Sequence, residues 1–300
     1  MMATPADYVK LHFIVFLWGF TAILGLLISI PSVEMVFYRT LLAAFGMGVV
    51  IVWTNGVFKV SSSDFIKLLL IGLIVSFHWL MFFGSGRVSN ASVSLVGFAT
   101  NSLWAALLEP VMNRTRIKKF ELVLGLVVIT GLYVIFSFDF QYKLGLILGI
   151  AAGFSAALFS VFNAKMVRRI NAYTITFYEM TGAFLGTAIF LPVYQMTLAE
   201  NETLNLIPNE MDWLLLAILA WVCTVYAFST AVKLMKRLSV FFIQLTLNLE
   251  PVYGILMALV IFGDKEKMGW NFYIGTLIII GAVAFYPALK RRFDKPAFMQ

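Results

Sequence analysis

The sequence is poor in charge and in the residues that build metal or redox chemistry. Only 12% of its 300 residues are Asp, Glu, Lys or Arg, about half the share in a soluble domain, while 61% are hydrophobic. Cys223 is the single cysteine, which excludes an intrachain disulfide and a Cys-rich metal site. The two histidines, His12 and His78, lie far apart in the sequence, and no metal or cofactor is expected. The chain also lacks His-Glu-x-x-His, Gly-x-Ser-x-Gly, a phosphate loop and a clustered Asp pair, so neither an enzyme nor an ATP-driven machine is expected. The net charge of +7 comes from short basic clusters between apolar blocks, not from one amphipathic face, and nucleic acid is not an expected partner.

What the chain does have is repeated apolar blocks of about twenty residues, the length an α-helix needs to cross about 30 Å of hydrocarbon. Breaking the sequence at polar or Gly/Pro-rich punctuation predicts ten spans: 8–28, 34–54, 65–84, 91–112, 120–138, 144–164, 172–196, 213–233, 238–262 and 269–289. The first block has no evident small-residue cleavage site after it and is expected to stay as the first span. Alternate connecting segments carry seventeen Lys and Arg residues and the intervening ones only four, Arg87, Lys143, Lys265 and Lys267. Retention of positive loops in the cytoplasm then places both termini inside. The loop 197–212 carries Glu200, Glu202, Glu210 and Asp212 and no cation, as an external loop should. The expected setting is a multi-pass protein of a cell inner (plasma) membrane, with the lipid bilayer as its solvent, as a monomer or homodimer.

An internal repeat runs through these spans. Phe37-Tyr38-Arg39 recurs as Phe177-Tyr178-Glu179, with Ala43 and Gly46 answered by Ala183 and Gly186. Gly19-Phe20-Thr21-Ala22 is echoed by Gly153-Phe154-Ser155-Ala156. Ser92-Val93 and Asn101 match Ser239-Val240 and Asn248, and Gly125 and Gly131 match Gly275 and Gly281. The fold class expected is an all-α integral membrane protein, ten transmembrane helices in two repeats of five, residues 1–140 and 141–300. An odd number of spans per repeat makes the second enter the membrane in the opposite sense, so the repeats are inverted. Two similar halves of opposite orientation can exchange conformations, which is the physics of alternating access.

The ten-helix layout, Glu250-Pro251 midway along the ninth span, the following Gly263-Asp264, and the tenth span with Ile274-Gly275 and Gly281-Ala282 resemble the EamA branch of the drug/metabolite transporter superfamily. The resemblance covers essentially the whole chain as two tandem repeats. It implies secondary transport of a small organic metabolite. There are departures: the family usually has Gly-Glu after the fourth and ninth spans, where this chain has Thr115-Arg116 and Gly263-Asp264. Trp104 aligns with Pro251, and Glu109-Pro110 comes several residues later.

Ionisable groups inside a bilayer cost at least about 2.5 kcal/mol on insertion scales and need a partner, a wet cavity or a function. Glu250 lies near the middle of its span with Asn248 and Gln244 close by, and Pro251 frees the carbonyl of residue 247, kinking the helix there. Glu250 is read either as part of a central solute site or as a structural partner of Arg39. Arg39 and Glu179 hold equivalent places in the two repeats with opposite charge, and are read as a gate or a structural ion pair. His78 sits among aromatics, and the resembled family's aromatic amino-acid exporters have a histidine in this span. It is a proton-coupling candidate or a hydrogen-bonded packing residue. Trp18, Trp79, Trp104, Tyr178 and Tyr226 offer aromatic walls with polar handles. The expected pocket takes polar recognition from Asn101, Gln244, Asn248 and Glu250 and its apolar wall from His78, Trp79, Trp104 and Tyr178. Its solute would be an amino acid or related compound, moved outward without ATP. The alternative is a membrane-embedded binding or signalling protein that holds its ligand without turnover.

Overall fold

The computed structural model describes residues 3–89, 91–136, 142–197, 203–253 and 270–293. Among them the chain is helical, with no strand. In chain order the helices are α1 (Pro5–Leu27), α2 (Ser32–Trp53), α3 (Ser62–Val88), α4 in two pieces (Ala91–Phe98 and Thr100–Asn113), α5 (Lys119–Phe136), α6 (Lys143–Met166), α7 (Ala172–Thr197), α8 (Glu210–Leu234), α9 (Val240–Leu247) and α10 (Trp270–Phe293). The middle of α8, Ile218–Tyr226, is π-helical. After α9 the chain turns at Asn248 and Leu249 and becomes helical again over residues 250–253. The rest of the ninth predicted span, Gly263-Asp264, Lys265, Lys267, Glu200 and Glu202 lie outside the described residues.

Among the described residues seven helices, α2, α3, α4, α6, α7, α8 and α10, are long and apolar enough to cross a membrane. The protein is therefore a multi-pass membrane protein. Of the ten expected spans, α1, α5 and α9 fall outside that set, and α9 is described only in part.

The helix ends follow from local chemistry. Ser61 and Asn209 accept the backbone N–H of Asp64 and Asp212 at 3.1 and 2.8 Å, capping α3 and α8. The Glu109 carboxylate does the same work from a distance, accepting the N–H groups of Val240 and Phe241 (3.3 and 3.0 Å) at the start of α9. The outer faces carry bare apolar side chains such as Phe45, Trp53, Ile189 and Leu277, while Asn101, Thr176, Glu179 and Gln244 are buried. Polar inside and apolar outside is the distribution a bilayer imposes.

The packing couples the two halves of the chain. α2 packs on α7, α4 on α9 and α5 on α10, while α3 packs on α6 and α7 and α8 packs on α1 and α2. Glycine permits the tightest crossings: a Cβ at Gly97 would lie 2.8 Å from the Gly149 Cα where α4 meets α6.

Two clamps tie helix starts to neighbouring loops. The carboxylate of Asp64 accepts both Nη groups of Arg169, in the loop between α6 and α7. That of Asp212 accepts the backbone N–H and hydroxyl of Ser29, in the loop between α1 and α2, at 2.7 and 2.6 Å.

Asp7, at the start of α1, accepts from the backbone N–H and hydroxyl of Thr4 (2.9 and 2.8 Å) and from Arg237 (3.1 Å). These bonds, led by the Thr4 N–H, hold its carboxyl below the usual aspartate range. A depressed folded-state pKa contributes stability above the unfolded value of about 3.9, which is lost as pH falls through the folded value. Wild-type protein will therefore melt above Asp7→Asn at pH 7, and the gap will close towards pH 3. A gap that stays constant over that range would show that the charge of Asp7 is irrelevant.

Candidate functional site: a bipolar cavity between the two halves

α6 carries a small face where Ala156 and Ser160 lie one turn apart, and small side chains on a buried helix leave room beside it. That room is a cavity with about 730 Å³ of unfilled space when its open mouth is counted, of which about 80 Å³ can take the centre of a water molecule. α1, α2, α3 and α4 contribute to its wall from one half of the chain and α6, α8 and α9 from the other. Most of the lining is aromatic or aliphatic, with Trp79, Phe82, Phe98, Phe159 and Phe228 forming a ring-lined box.

A few polar groups are held in fixed directions within that box. The Nδ1 of His78 lies 2.8 Å from the Ala152 carbonyl, and its ring packs among Phe82, Phe98 and Phe159. The Gln244 amide donates to Ser160 Oγ at 2.8 Å and to the Ala156 carbonyl at 3.4 Å, leaving its buried Oε1 without a partner among the described residues. The Nε of Arg39 donates to Thr224 Oγ1 at 3.0 Å, and its guanidinium lies over Trp79, 4.0 Å from the ring centre. Glu250 also faces the cavity and is the only acid among the described residues of its lining.

Of the residues expected at the site, His78, Trp79, Gln244 and Glu250 come together on this lining. Asn101 and Asn248 sit just behind it, both buried. The Asn248 amide donates to Ser102 Oγ (3.3 Å), joining α9 to α4, while neither amide atom of Asn101 has a partner among the described residues. Trp104 and Tyr178 lie elsewhere. Trp104 packs edge-on against Phe154, and the Tyr178 hydroxyl donates to the Phe58 carbonyl (2.9 Å) at the end of the bundle where α7 begins.

Arg39 and Glu179 do not pair. Although α2 and α7 are in contact, Arg39 turns towards α3 and α8, whereas Glu179 turns towards α6 and accepts from the Asn163 amide at 3.2 Å. Equivalent positions in a repeat fix depth along the helix, not the direction in which each side chain points. The residue that sequence reading misplaced is thus Arg39, which belongs to the cavity. Its signal is in the sequence: Arg39 is the only Lys or Arg more than three residues inside a predicted span. No metal-binding cluster of His, Cys, Asp or Glu occurs among the described residues.

Comparison with known proteins places this arrangement. A protein of known crystal structure superposes on 97% of this chain and 100% of its own length with a TM-score of 0.78, at 14% sequence identity, a likeness of fold alone. An uncharacterized transporter of Archaeoglobus fulgidus is 25% identical over 256 residues, covering 83% of this chain and 86% of the relative. Another, the uncharacterized transporter YxxF of Bacillus subtilis, is 22% identical over 276 residues, 89% of this chain and 84% of its own. Residues 10–137 and again 143–286 match the model of the EamA-like transporter family, so the chain carries the family unit twice in tandem and belongs to the EamA-like transporters.

Proposed function

We propose that this protein is a secondary transporter that moves a small organic metabolite by alternating access. The favoured solute is an amino acid or related compound carried outward across a cell inner membrane. The observation that carries this reading is a single cavity walled by helices of both family units, with one buried arginine and one buried acid on a mainly apolar lining among the described residues.

The proposed layout is ten spans in two inverted repeats, residues 1–140 and 141–300, with both termini in the cytoplasm. The packing supports it, because a two-fold relation between the halves brings together those equivalent helices that lie near its axis, and α2 packs on α7, α4 on α9 and α5 on α10. The clamps support it as well. Asp64 and Asp212 stand 148 residues apart, each at the third position of its helix, and the groups they hold, Arg169 and Ser29, stand 140 residues apart, the offset that relates Phe177 to Phe37. Finally, α4 and α9 are both interrupted next to the cavity, as expected for carriers whose sites use broken helices.

The test is flux. Purified protein in liposomes should exchange labelled internal solute for external solute without ATP, with a panel of amino acids and related amphiphiles as candidates. Saturable binding with no exchange for any solute would replace the transporter reading with that of a membrane-embedded binding protein.

A further inference from the structure

We infer that the central cavity is a receptor for a zwitterion with an apolar side chain, in which Arg39 takes the carboxylate and Glu250 the ammonium group. This rests on the transporter reading for its purpose and adds to it the chemical class and the orientation of the bound solute.

Arg39 is the better-defined half of the receptor. Its residue is only 3% exposed, and a guanidinium has five N–H donors and no acceptor. One donor, Nε, is used. It reaches Thr224 Oγ1, whose own proton goes to the Leu219 carbonyl (3.0 Å), five residues back in the π-helical turn of α8. The Thr224 oxygen is thereby left as an acceptor aimed at Arg39. Trp79 supports one face of the guanidinium at 4.0 Å, and the Phe83 ring lies 5.9 Å away. The guanidinium is thus held in direction, yet its two Nη groups meet no acceptor and Arg39 has no ion-pair partner among the described residues. A buried ion with an unused donor fork is costly, and the fork matches a carboxylate through two parallel hydrogen bonds.

Glu250 complements it on the same lining. It makes no side-chain hydrogen bond among the described residues and forms no ion pair, although it lies within electrostatic reach of Arg39. His78, the remaining ionisable side chain among the described residues of the lining, commits its Nδ1 to the Ala152 carbonyl. With Glu250 ionised, the described part of the lining balances at one positive and one negative charge. A zwitterion adds one of each and leaves the balance at zero, with each new charge facing its opposite. A simple carboxylate would leave the cavity one charge negative and a simple amine one charge positive, and an uncompensated charge at this depth is what the bilayer interior penalises. The aromatic box around both groups accepts an apolar side chain.

The experiment measures binding to purified protein in lipid nanodiscs. The probes are L-leucine, L-methionine and L-phenylalanine, with isoamylamine as the decarboxylated and 4-methylpentanoate as the deaminated analogue of leucine. At least one amino acid should bind, and the best should bind at least ten-fold more tightly than either single-charge analogue. Arg39→Gln should weaken amino-acid binding at least ten-fold while sparing isoamylamine, and Glu250→Gln should do so while sparing 4-methylpentanoate. The inference fails if none of the three amino acids binds, if an analogue matches the best of them, or if either variant weakens all probes equally. Should a variant not fold, the wild-type analogue series decides alone. Exchange of a non-zwitterionic solute in liposomes would sink this inference and leave the transporter reading standing, whereas zwitterion binding without exchange would do the reverse.

Discussion

Gly182→Val will all but remove the folded protein from the membrane. A Cβ at Gly182 would lie 2.9 Å from the Leu69 Cα and 3.0 Å from its carbonyl carbon, and one at Gly72 would lie 2.9 Å from the Gly182 Cα, so α3 and α7 touch backbone to backbone. No side chain is available to move aside. The helices must separate, and separation strips contacts from the Ser76–Thr187 hydrogen bond (2.8 Å) one turn further along. Overpacking of a rigid contact costs about 1–3 kcal/mol and sometimes more. Valine here belongs at or above the top of that range, because lipid offers the parted helices an equally apolar environment and small-residue contact is what holds them together. The measurement is the monodisperse yield and melting temperature of tagged protein. A Gly182→Val protein with wild-type yield and melting would mean that the α3–α7 crossing is wider than described.

Ala156→Phe should abolish exchange in liposomes while the protein folds and inserts normally. Ala156 is on the cavity lining, and a phenyl ring there has unfilled space to enter, so the volume that hosts a solute is taken without disturbing the surrounding packing. The neighbouring residue provides the control. Ala157 is fully buried and off the lining, and Ala157→Phe should be lost to misfolding. Exchange at a wild-type rate by well-folded Ala156→Phe would remove this cavity from the transport path.

These two alanines illustrate what the sequence conveys and what it withholds. Hydropathy located helices to within a few residues, as with 34–54 against Ser32–Trp53, because a twenty-residue apolar block in lipid has little alternative to a helix. Pro251 also marked the interruption of α9 at Asn248 and Leu249, directly after the carbonyl it frees. The break in α4 at Ala99 has no proline to announce it, and the π-helical turn of α8 leaves no trace in an apolar stretch. Rotation of a helix about its axis is harder still to read when apolar residues surround it on every side. Residue type alone therefore points Trp104 and Tyr178 to the pocket, whereas the first packs on Phe154 and the second bonds to the Phe58 carbonyl, both off its lining. His78 and Glu250 were legible because a polar group in an apolar block stands out wherever it points.

The two clamps differ in kind, and that difference gives the molecule a sidedness. The Asp64–Arg169 pair carries full opposite charges, with the arginine side chain 52% exposed. Asp212 instead binds an uncharged serine and is itself only 1% exposed. Dissolved ions screen the first and have almost nothing to screen in the second. Under the inverted layout proposed above, the clamps sit at opposite faces of the membrane. In a sealed vesicle, concentrated salt on one side would then loosen the join between α3 and the α6–α7 loop, while the same salt on the other side would leave its counterpart closed, so the bathing solution would act on this protein as a vector.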